Sequence, residues 1–582
     1  MTPLHRTARR CNYDKFPVAD TGLAGACVTG WARIAARLRA GTPRVVVVDC
    51  YPGVLDVDIK QLAATLAPDV VIDVSSALKP APDIDALVAP DLGEDPVFGR
   101  LTSLRLADFF DERRLAELRG RVTESTGRVL VVGVGAALVA RGDVLVHASM
   151  PRREIELRQN RGEVGSLGGD NIGARPSLLY KRAYFVDWRV ADEHKQQLWP
   201  DLDFVLDTTG PDAPALLPAR EYFSALARAA RRPLRVVPWF EPAPWGGCWM
   251  QQICDLDPDV DNFGWCFDCV PEENSLLLGF GAVTVEVPSN DLVLREPELL
   301  LGSSVVRRFG AQFPIRFDFL DTMGGGNLSL QVHPLTEYIR EHFGPSFTQD
   351  ESYYLLDADD DAVVYLGVHD GVDREQMAAD LRAAQNGGSL FAAERYVNVW
   401  PAKRHDHFLI PAGTVHCSGR NGMVLEISAT PYIFTFKLWD WDRLGLDGRP
   451  RPVHLEHGLR NIQWNRDTSF ARRELVNHVQ PLAAGDGWRA ERTGLHEAEF
   501  IDTHRHWFTC PVRHDTGDGV NVLNLVAGEE ATVTSPDGAF DPFVVHYAET
   551  FIVPAAVGGY VLTPSGAAAG AECATIKAFV RQ

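Results

Sequence analysis

Positive charge is in short supply in this chain: 57 Lys and Arg against 78 Asp and Glu leave a formal net charge of −21. Neutralising a phosphate backbone needs clustered cations, so this balance excludes a nonspecific nucleic-acid binder. No apolar run approaches the roughly 20 residues that cross a bilayer, which excludes a membrane-spanning helix. Residues 1–10 are basic, but Cys11-Asn-Tyr-Asp-Lys-Phe16 follows instead of an apolar signal core, so export is not expected. The ten cysteines are scattered, and a lone CxxC pair, Cys266 and Cys269, is a weak metal or redox signal. Reduced thiols in a cytoplasmic protein are the expectation. Internal repeats and long low-complexity tracts are missing too. What remains is ordinary globular composition, 46% hydrophobic and 23% charged over 582 residues. That length is enough for roughly three or four domains with sizeable cores.

The front of the chain alternates strand and helix patterns. Arg44-Val-Val-Val-Val-Asp49 is an uninterrupted β-branched run, suited to a strand buried on both faces of a parallel sheet. Helical patterns at 30–39, 56–66 and 111–124 interleave with further strands at 69–74, 128–132 and 143–147. Residues 181–188 and 203–207 read as two more strands enclosing a last helix. The expectation is an α/β domain with a mainly parallel sheet over residues 1–232. Asp49-Cys-Tyr-Pro-Gly53 ends the first strand, where open α/β sheets place ligands. The region resembles a degenerate kinase-like domain, yet the phosphate-gripping GxxxxGK[ST] loop is absent. Arg152, Arg153, Arg158 and Arg161 form a basic cluster on a helix pattern, open to two readings: a phosphate clamp or a solvated face.

Behind a Pro-rich passage, short strands separated by Gly, Pro and Asp turns predict antiparallel barrels or sandwiches. Here one stretch stands out, Asn327-Leu-Ser-Leu-Gln331-Val-His333-Pro334. In a strand, residues i and i+2 project from one face, so Gln331 and His333 can enter one cavity together. Glu351 opens the strand pattern Glu351-Ser-Tyr-Tyr-Leu-Leu356. Pro411-Ala-Gly-Thr-Val-His416 is a Gly-containing turn that delivers a second imidazole. Two imidazoles, a carboxylate and an amide oxygen suit a borderline divalent ion such as Zn²⁺, with a position left for water or substrate.

These motifs resemble those of the type I mannose-6-phosphate isomerases, metal-dependent cupin enzymes. The resemblance runs from about Trp239 to the C-terminus. It takes in Pro244-Trp-Gly-Gly247, Phe319-Leu-Asp321, the Ser-Leu-Gln-Val-His-Pro strand, Tyr365-Leu-Gly367, Ile410-Pro-Ala-Gly-Thr-Val-His416, Val424-Leu-Glu426 and Trp439-Asp-Trp-Asp-Arg-Leu444. It implies a two-cupin, jelly-roll half with a helical insertion at 374–386. The implied domains are a metal-binding cupin at 233–483 and a terminal cupin-like β domain at 484–582. The counterpart of His416 in the terminal cupin falls in Ala556-Val-Gly-Gly559, so that domain is expected to hold no metal. The resemblance implies metal ligation by Gln331, His333, Glu351 and His416. It places Glu426 beside the site as proton carrier, or as a group that only orients the ligands, and puts Ser329 near the substrate phosphate.

Two positions depart from the family pattern. Gln349 stands where the family has a phosphate-holding Lys, and an amide cannot supply that charge. Lys437 stands where the family has its catalytic Arg, keeping the charge without the planar fork. Lys403 and Lys437 are the nearest cations available to compensate. The expected activity is a metal-dependent aldose–ketose isomerisation of mannose 6-phosphate and fructose 6-phosphate or a related sugar. The alternative is a metal-containing cupin that binds or senses a sugar. The expected partner is a small sugar or sugar phosphate, with no nucleic acid and no membrane, and with the oligomeric state open.

Overall fold

The computed structural model describes residues 12–581 except 211, 212, 432, 495 and 497. The basic start at residues 1–10 lies outside the described residues. The chain divides into two compact units. One comprises Val18–Ala229 with Glu272–Arg295; the other comprises the residues up to Pro17, Ala230–Pro271 and Glu296 onward.

The first unit is α/β. Val45–Cys50 is buried along its whole length, because parallel strands flank it on both sides, Val129–Gly133 on one and Val144–Ser149 on the other. Val70–Asp73 and Phe204–Asp207 extend the parallel set outward, and Ala215–Pro218 adds an antiparallel strand. Helices Trp31–Leu38 and Asp56–Leu66 place Ile34, Leu38, Leu62 and Leu66 against Val46, Val48, Leu130 and Val132. The β-branched run thus forms a strand because both its faces are covered. Residues 272–295 contribute the hairpin Ser275–Phe280 and Val283–Pro288 to this unit.

One expected strand is absent. Residues 181–188 lie inside a continuous helical stretch built from Pro176–Arg182, the π turn Ala183–Asp187 and Trp188–Leu198. Pro176 occupies the first turn, where its missing N–H costs nothing, and no Gly or Pro interrupts the chain before Trp199. Tyr184 and Trp188, four apart, are both buried, so the apolar run satisfies a helical period that its short β-like look conceals.

The second unit is β-rich and contains two sandwiches. In the first, a six-stranded antiparallel sheet runs His407–Ile410, Glu351–Ala358, Gly422–Ala429, Ile315–Asp321, Trp265–Cys269, Trp239–Glu241. A five-stranded sheet faces it in the order Val397–Pro401, Val363–Val368, His416–Ser418, Leu330–Val332, Phe436–Trp439. Helix Arg374–Gln385, capped by the Asp373 side chain accepting from Gln376 N–H at 3.0 Å, is inserted between two strands of the second sheet. The lone CxxC pair lies on Trp265–Cys269 as two buried free thiols, both held well above the ordinary thiol range, first by burial and then by Asp268.

In the second sandwich, Phe508, Leu523, Leu525, Phe551 and Val553 of a six-stranded sheet pack against Val512, Val533, Val545, Tyr560 and Leu562 of a four-stranded one. Among the described residues no helix is long and apolar enough to cross a membrane.

Candidate metal and sugar site

The site lies between the sheets of the first sandwich. Gln331 sits opposite His416 in one ladder and opposite Lys437 in the other. Directly opposed residues of antiparallel strands project to the same side, so the three form a row. On the facing sheet Glu351 is opposite Ser428, and Tyr353, two residues on, is opposite Glu426. His333 leaves the end of its strand just before Pro334, which cannot continue the ladder.

Three of these groups converge. His333 Nε2 lies 3.0 Å and His416 Nε2 2.8 Å from the two oxygens of Glu351. All three side chains are essentially sealed from solvent. The far ring nitrogens face backbone carbonyls, His416 Nδ1 toward Thr414 at 2.8 Å and His333 Nδ1 toward Phe434 at 3.3 Å. Those contacts fix each ring with Nε2 turned inward. The turn that carries His416 is itself over-determined. Gly413 has φ +88°, and a Cβ there would meet the Asn461 carbonyl at 2.9 Å. Thr414 Oγ1 donates to the Pro411 carbonyl at 2.6 Å, and Ala412 N–H donates to Asp350 at 2.8 Å. Asp350 is therefore a brace for this turn.

The donor set fits a divalent ion. His333 Nε2 and Glu351 Oε1 are buried and, among the described residues, complete no hydrogen bond although each has a close neighbour, which leaves them open to a shared ion. Among the described residues, His333, Glu351 and His416 are the group whose ligand atoms gather within 4.8 Å. The Gln331 amide nitrogen lies 3.1 Å from His416 Nε2, and Ser329 Oγ donates to its oxygen at 2.9 Å. Half a turn of that amide brings the oxygen to the same place and makes the Ser329 hydroxyl the acceptor.

Electrostatics sort the acidic groups. Burial pushes Glu351 up, but the two imidazoles more than reverse it and hold the carboxyl well below its usual range. Burial lowers His333 most, but Glu351, Glu426 and the Phe434 carbonyl together raise it above its ordinary value. Glu426 moves the other way: burial first and the Glu351 charge second raise it to about 7. Gln349 spans this pair, its amide donating to Glu351 at 3.2 Å and Glu426 at 3.3 Å, while Ser428 Oγ donates to Glu426 at 2.9 Å. Half-buried Lys437 is pulled down to about 7 by burial and by Arg451.

Of the residues singled out from sequence, the structure brings together Gln331, His333, Glu351, His416, Ser329, Gln349, Glu426 and Lys437. Ser329 and Gln349 make contacts within the cluster itself. Lys403 is not among them. Glu351 pairs with Ile410 and Tyr354 with His407, and Lys403 lies in the exposed turn before His407. That places it at the far end of the strand, on the order of 15 Å away at ~3.3 Å per residue. Sequence reasoning missed Tyr353, whose buried hydroxyl is held well above its ordinary range by burial and then by Glu351 and Glu426. Its i+2 spacing from Glu351 was the available signal.

In the α/β unit the arginine cluster is consumed internally. Arg152 pairs with Asp192 at 2.7 Å, Arg158 and Arg161 with Glu154 at 2.9 Å, and Arg153 with Glu156 at 3.4 Å. Asp49, at the end of the first strand, faces His194 Nε2 at 3.0 Å and accepts from Ala137 N–H at 2.8 Å. These pairings leave the cluster little charge to offer a phosphate.

Residues 30–231 match a family model described as a domain of unknown function, DUF8485. The chain is also similar to the mannose-6-phosphate isomerase ManA of Bacillus subtilis, 30% identical over 171 residues, which are 29% of this chain and 50% of that protein. A mannose-6-phosphate isomerase of Streptococcus mutans is 27% identical over 291 residues, 49% of this chain and 82% of that one. The chain thus spans about half the length of the first of these relatives. Among solved structures, the mannose 6-phosphate isomerase from Bacillus subtilis aligns with 60% of this chain and 99% of its own, at 17% identity and a TM-score of 0.48.

Proposed function

We propose that the first sandwich is a metal-dependent aldose–ketose isomerase site acting on mannose 6-phosphate, fructose 6-phosphate or a related sugar. The observation that carries this reading is the convergence of His333, Glu351 and His416 beside a second buried carboxyl, Glu426, that they do not consume. A divalent ion such as Zn²⁺ held by those three and Gln331 would polarise the carbonyl and neighbouring hydroxyl of an open-chain sugar.

The chain's own residues supply the rest. Isomerisation moves a proton between adjacent carbons through an enediol, so it needs a group that both accepts and returns a proton near neutrality. Glu426, a buried carboxyl beside the cluster that none of its three ligand groups engages, would meet that need. Gln349 and Ser428 donate to it and fix its orientation. Lys437, in the row with Gln331 and His416, offers positive charge to the oxygen on which negative charge develops. Ser329 steadies the Gln331 amide, and the buried Tyr353 ring packs edge-on against His416 at 5.9 Å.

A second reading, a metal-holding site that binds a sugar with little turnover, is favoured by one observation. Gln349 hydrogen-bonds two carboxylates and adds no charge for a phosphate. A coupled assay of mannose 6-phosphate turnover separates the two. Turnover that is lost on chelation and restored by added Zn²⁺ is the expected result. Protein that retains metal yet turns over no aldose–ketose pair would sink the isomerase reading and leave the second.

A further inference from the structure

A different set of inward-facing polar groups lies at one end of the second sandwich. Asp502, His504 and His506 alternate along Ile501–Phe508, on the same face as the core residue Phe508. Lys577 stands opposite His504, and Thr575 opposite His506, on Cys573–Val580. From the facing sheet comes His514, two residues beyond the core residue Val512. Its ring is 4.5 Å from that of His506 and stacks on Tyr560 at 5.2 Å.

The innermost of these groups are buried and unsatisfied. His506 is 9%, His514 8% and Thr575 0% exposed, whereas His504 and Lys577 are half-buried at the rim. His506 Nδ1, His514 Nε2 and Thr575 Oγ1 have no hydrogen-bond partner among the described residues. Buried polar atoms are normally paired, so three orphans converging from three strands call for an occupant.

The chemistry of the occupant follows from the charges around it. Asp502, buried on the same face, pairs with Arg492 at 3.2 Å and lies 3.7 Å from His504 Nε2. Asp515 is exposed, and among the described residues no carboxylate acts on His506 or His514. Burial, Lys577 and His504 push His506 down to about 3, and burial, His506, Lys577 and His504 hold His514 well below its ordinary value. Lys577 is pulled down to about 8 by burial, against the opposing pull of Asp515 and Asp502. A cation is disfavoured here by the Lys577 ammonium. The three imidazoles also do not gather ligand atoms as His333, Glu351 and His416 do.

We propose that this end of the second sandwich binds a small oxyanion, a phosphate or carboxylate group, through His506, His514 and Thr575, with Lys577 closing the rim. An oxyanion accepts from all of these donors at once, and charge-assisted bonds of this kind are the stronger ones. It also brings negative charge to the inner end of the cluster, beside His506 and His514, beyond the Asp502 carboxylate that pairs with Arg492.

The test is calorimetric titration of the full-length protein with inorganic phosphate and, separately, acetate, with the histidine imidazole resonances followed by NMR. Saturable binding of one of the two anions is expected, with His506 and His514 resonances moving; the anion that binds tells phosphate from carboxylate. Thr575→Val, nearly isosteric, and Lys577→Met are each expected to weaken that binding about tenfold, the effect of losing one good hydrogen-bonded contact. His416→Ala, in the other sandwich, is expected to leave the affinity unchanged. No saturable binding of either anion, binding that survives both second-sandwich variants, or binding abolished by His416→Ala would overturn the proposal.

Discussion

The two sandwiches of the β-rich unit place histidines on the same kind of inward-facing strand position and surround them differently. In the first, a buried carboxylate, Glu351, lies between His333 and His416 at 3.0 and 2.8 Å. In the second, His506 and His514 meet each other with no carboxylate between them and a lysine at the rim. An imidazole pair takes its ligand preference from its neighbours. We propose that a carboxylate makes the pair a cation site in the first sandwich, and that an ammonium with a hydroxyl makes it an anion site in the second. Frame and residue type are shared; charge is the difference.

The largest effect expected within the first sandwich is on catalysis. Glu426→Gln keeps the shape and the Gln349 contact but removes the proton carrier, so kcat for the sugar phosphate should fall about a hundredfold or more with metal content unchanged. A loss of only a few-fold would mean that Glu426 merely orients its neighbours. Next comes Gln349→Lys. Because Gln349 lies 3.2 and 3.3 Å from Glu351 and Glu426, the new ammonium should pair with those carboxylates and compete with the ion. Metal affinity, read by competition with a chromophoric chelator, should drop about tenfold. A lower KM for phosphosugars with metal affinity intact would instead make position 349 the missing phosphate grip.

The subtlest contrast is in pH dependence. Glu426 and Asp350 are raised from ordinary carboxyl values to about 7 and about 6, each by burial first. Between the ordinary and raised values the folded state holds protons that the unfolded chain has released, so stability falls as pH rises through that window. His506 is lowered from 6.5 to about 3. In that window the unfolded chain holds a proton that the folded state refuses, so stability falls as pH drops below about 6.5. Hydrogen exchange of the metal-free protein between pH 7 and pH 5 in phosphate-free buffer should therefore show protection rising in the strand Glu351–Ala358 and falling in Ile501–Phe508. Shifts of the same sign in both would break the contrast.

The meeting of Gln331, His333, Glu351 and His416 was legible from sequence because period-two spacing puts Gln331 and His333 on one face, and because Glu351 and His416 each open a strand. The parallel sheet was legible in the β-branched run at 45–48. What escaped was whatever depends on pairing across strands. Gln349 reads as a missing cation until its amide is seen between two carboxylates. Lys403 reads as nearby until the ladder from Glu351 to Ile410 places it at the far end. The arginines at 152–161 leave a phosphate clamp and a solvated face both open until each finds its acid. In the second sandwich, attention to Ala556-Val-Gly-Gly559 missed the alternation Asp502, His504, His506, whose partners Thr575 and Lys577 lie some seventy residues away.

The most direct test of the account is elemental analysis of the purified chain beside the His416→Ala variant, with circular dichroism verifying that the variant is folded. One divalent transition-metal ion per wild-type chain, and none in the folded variant, is the predicted result. A wild-type chain that neither carries nor takes up such an ion, or a variant that keeps it, would contradict the claim that His333, Glu351 and His416 form a metal site.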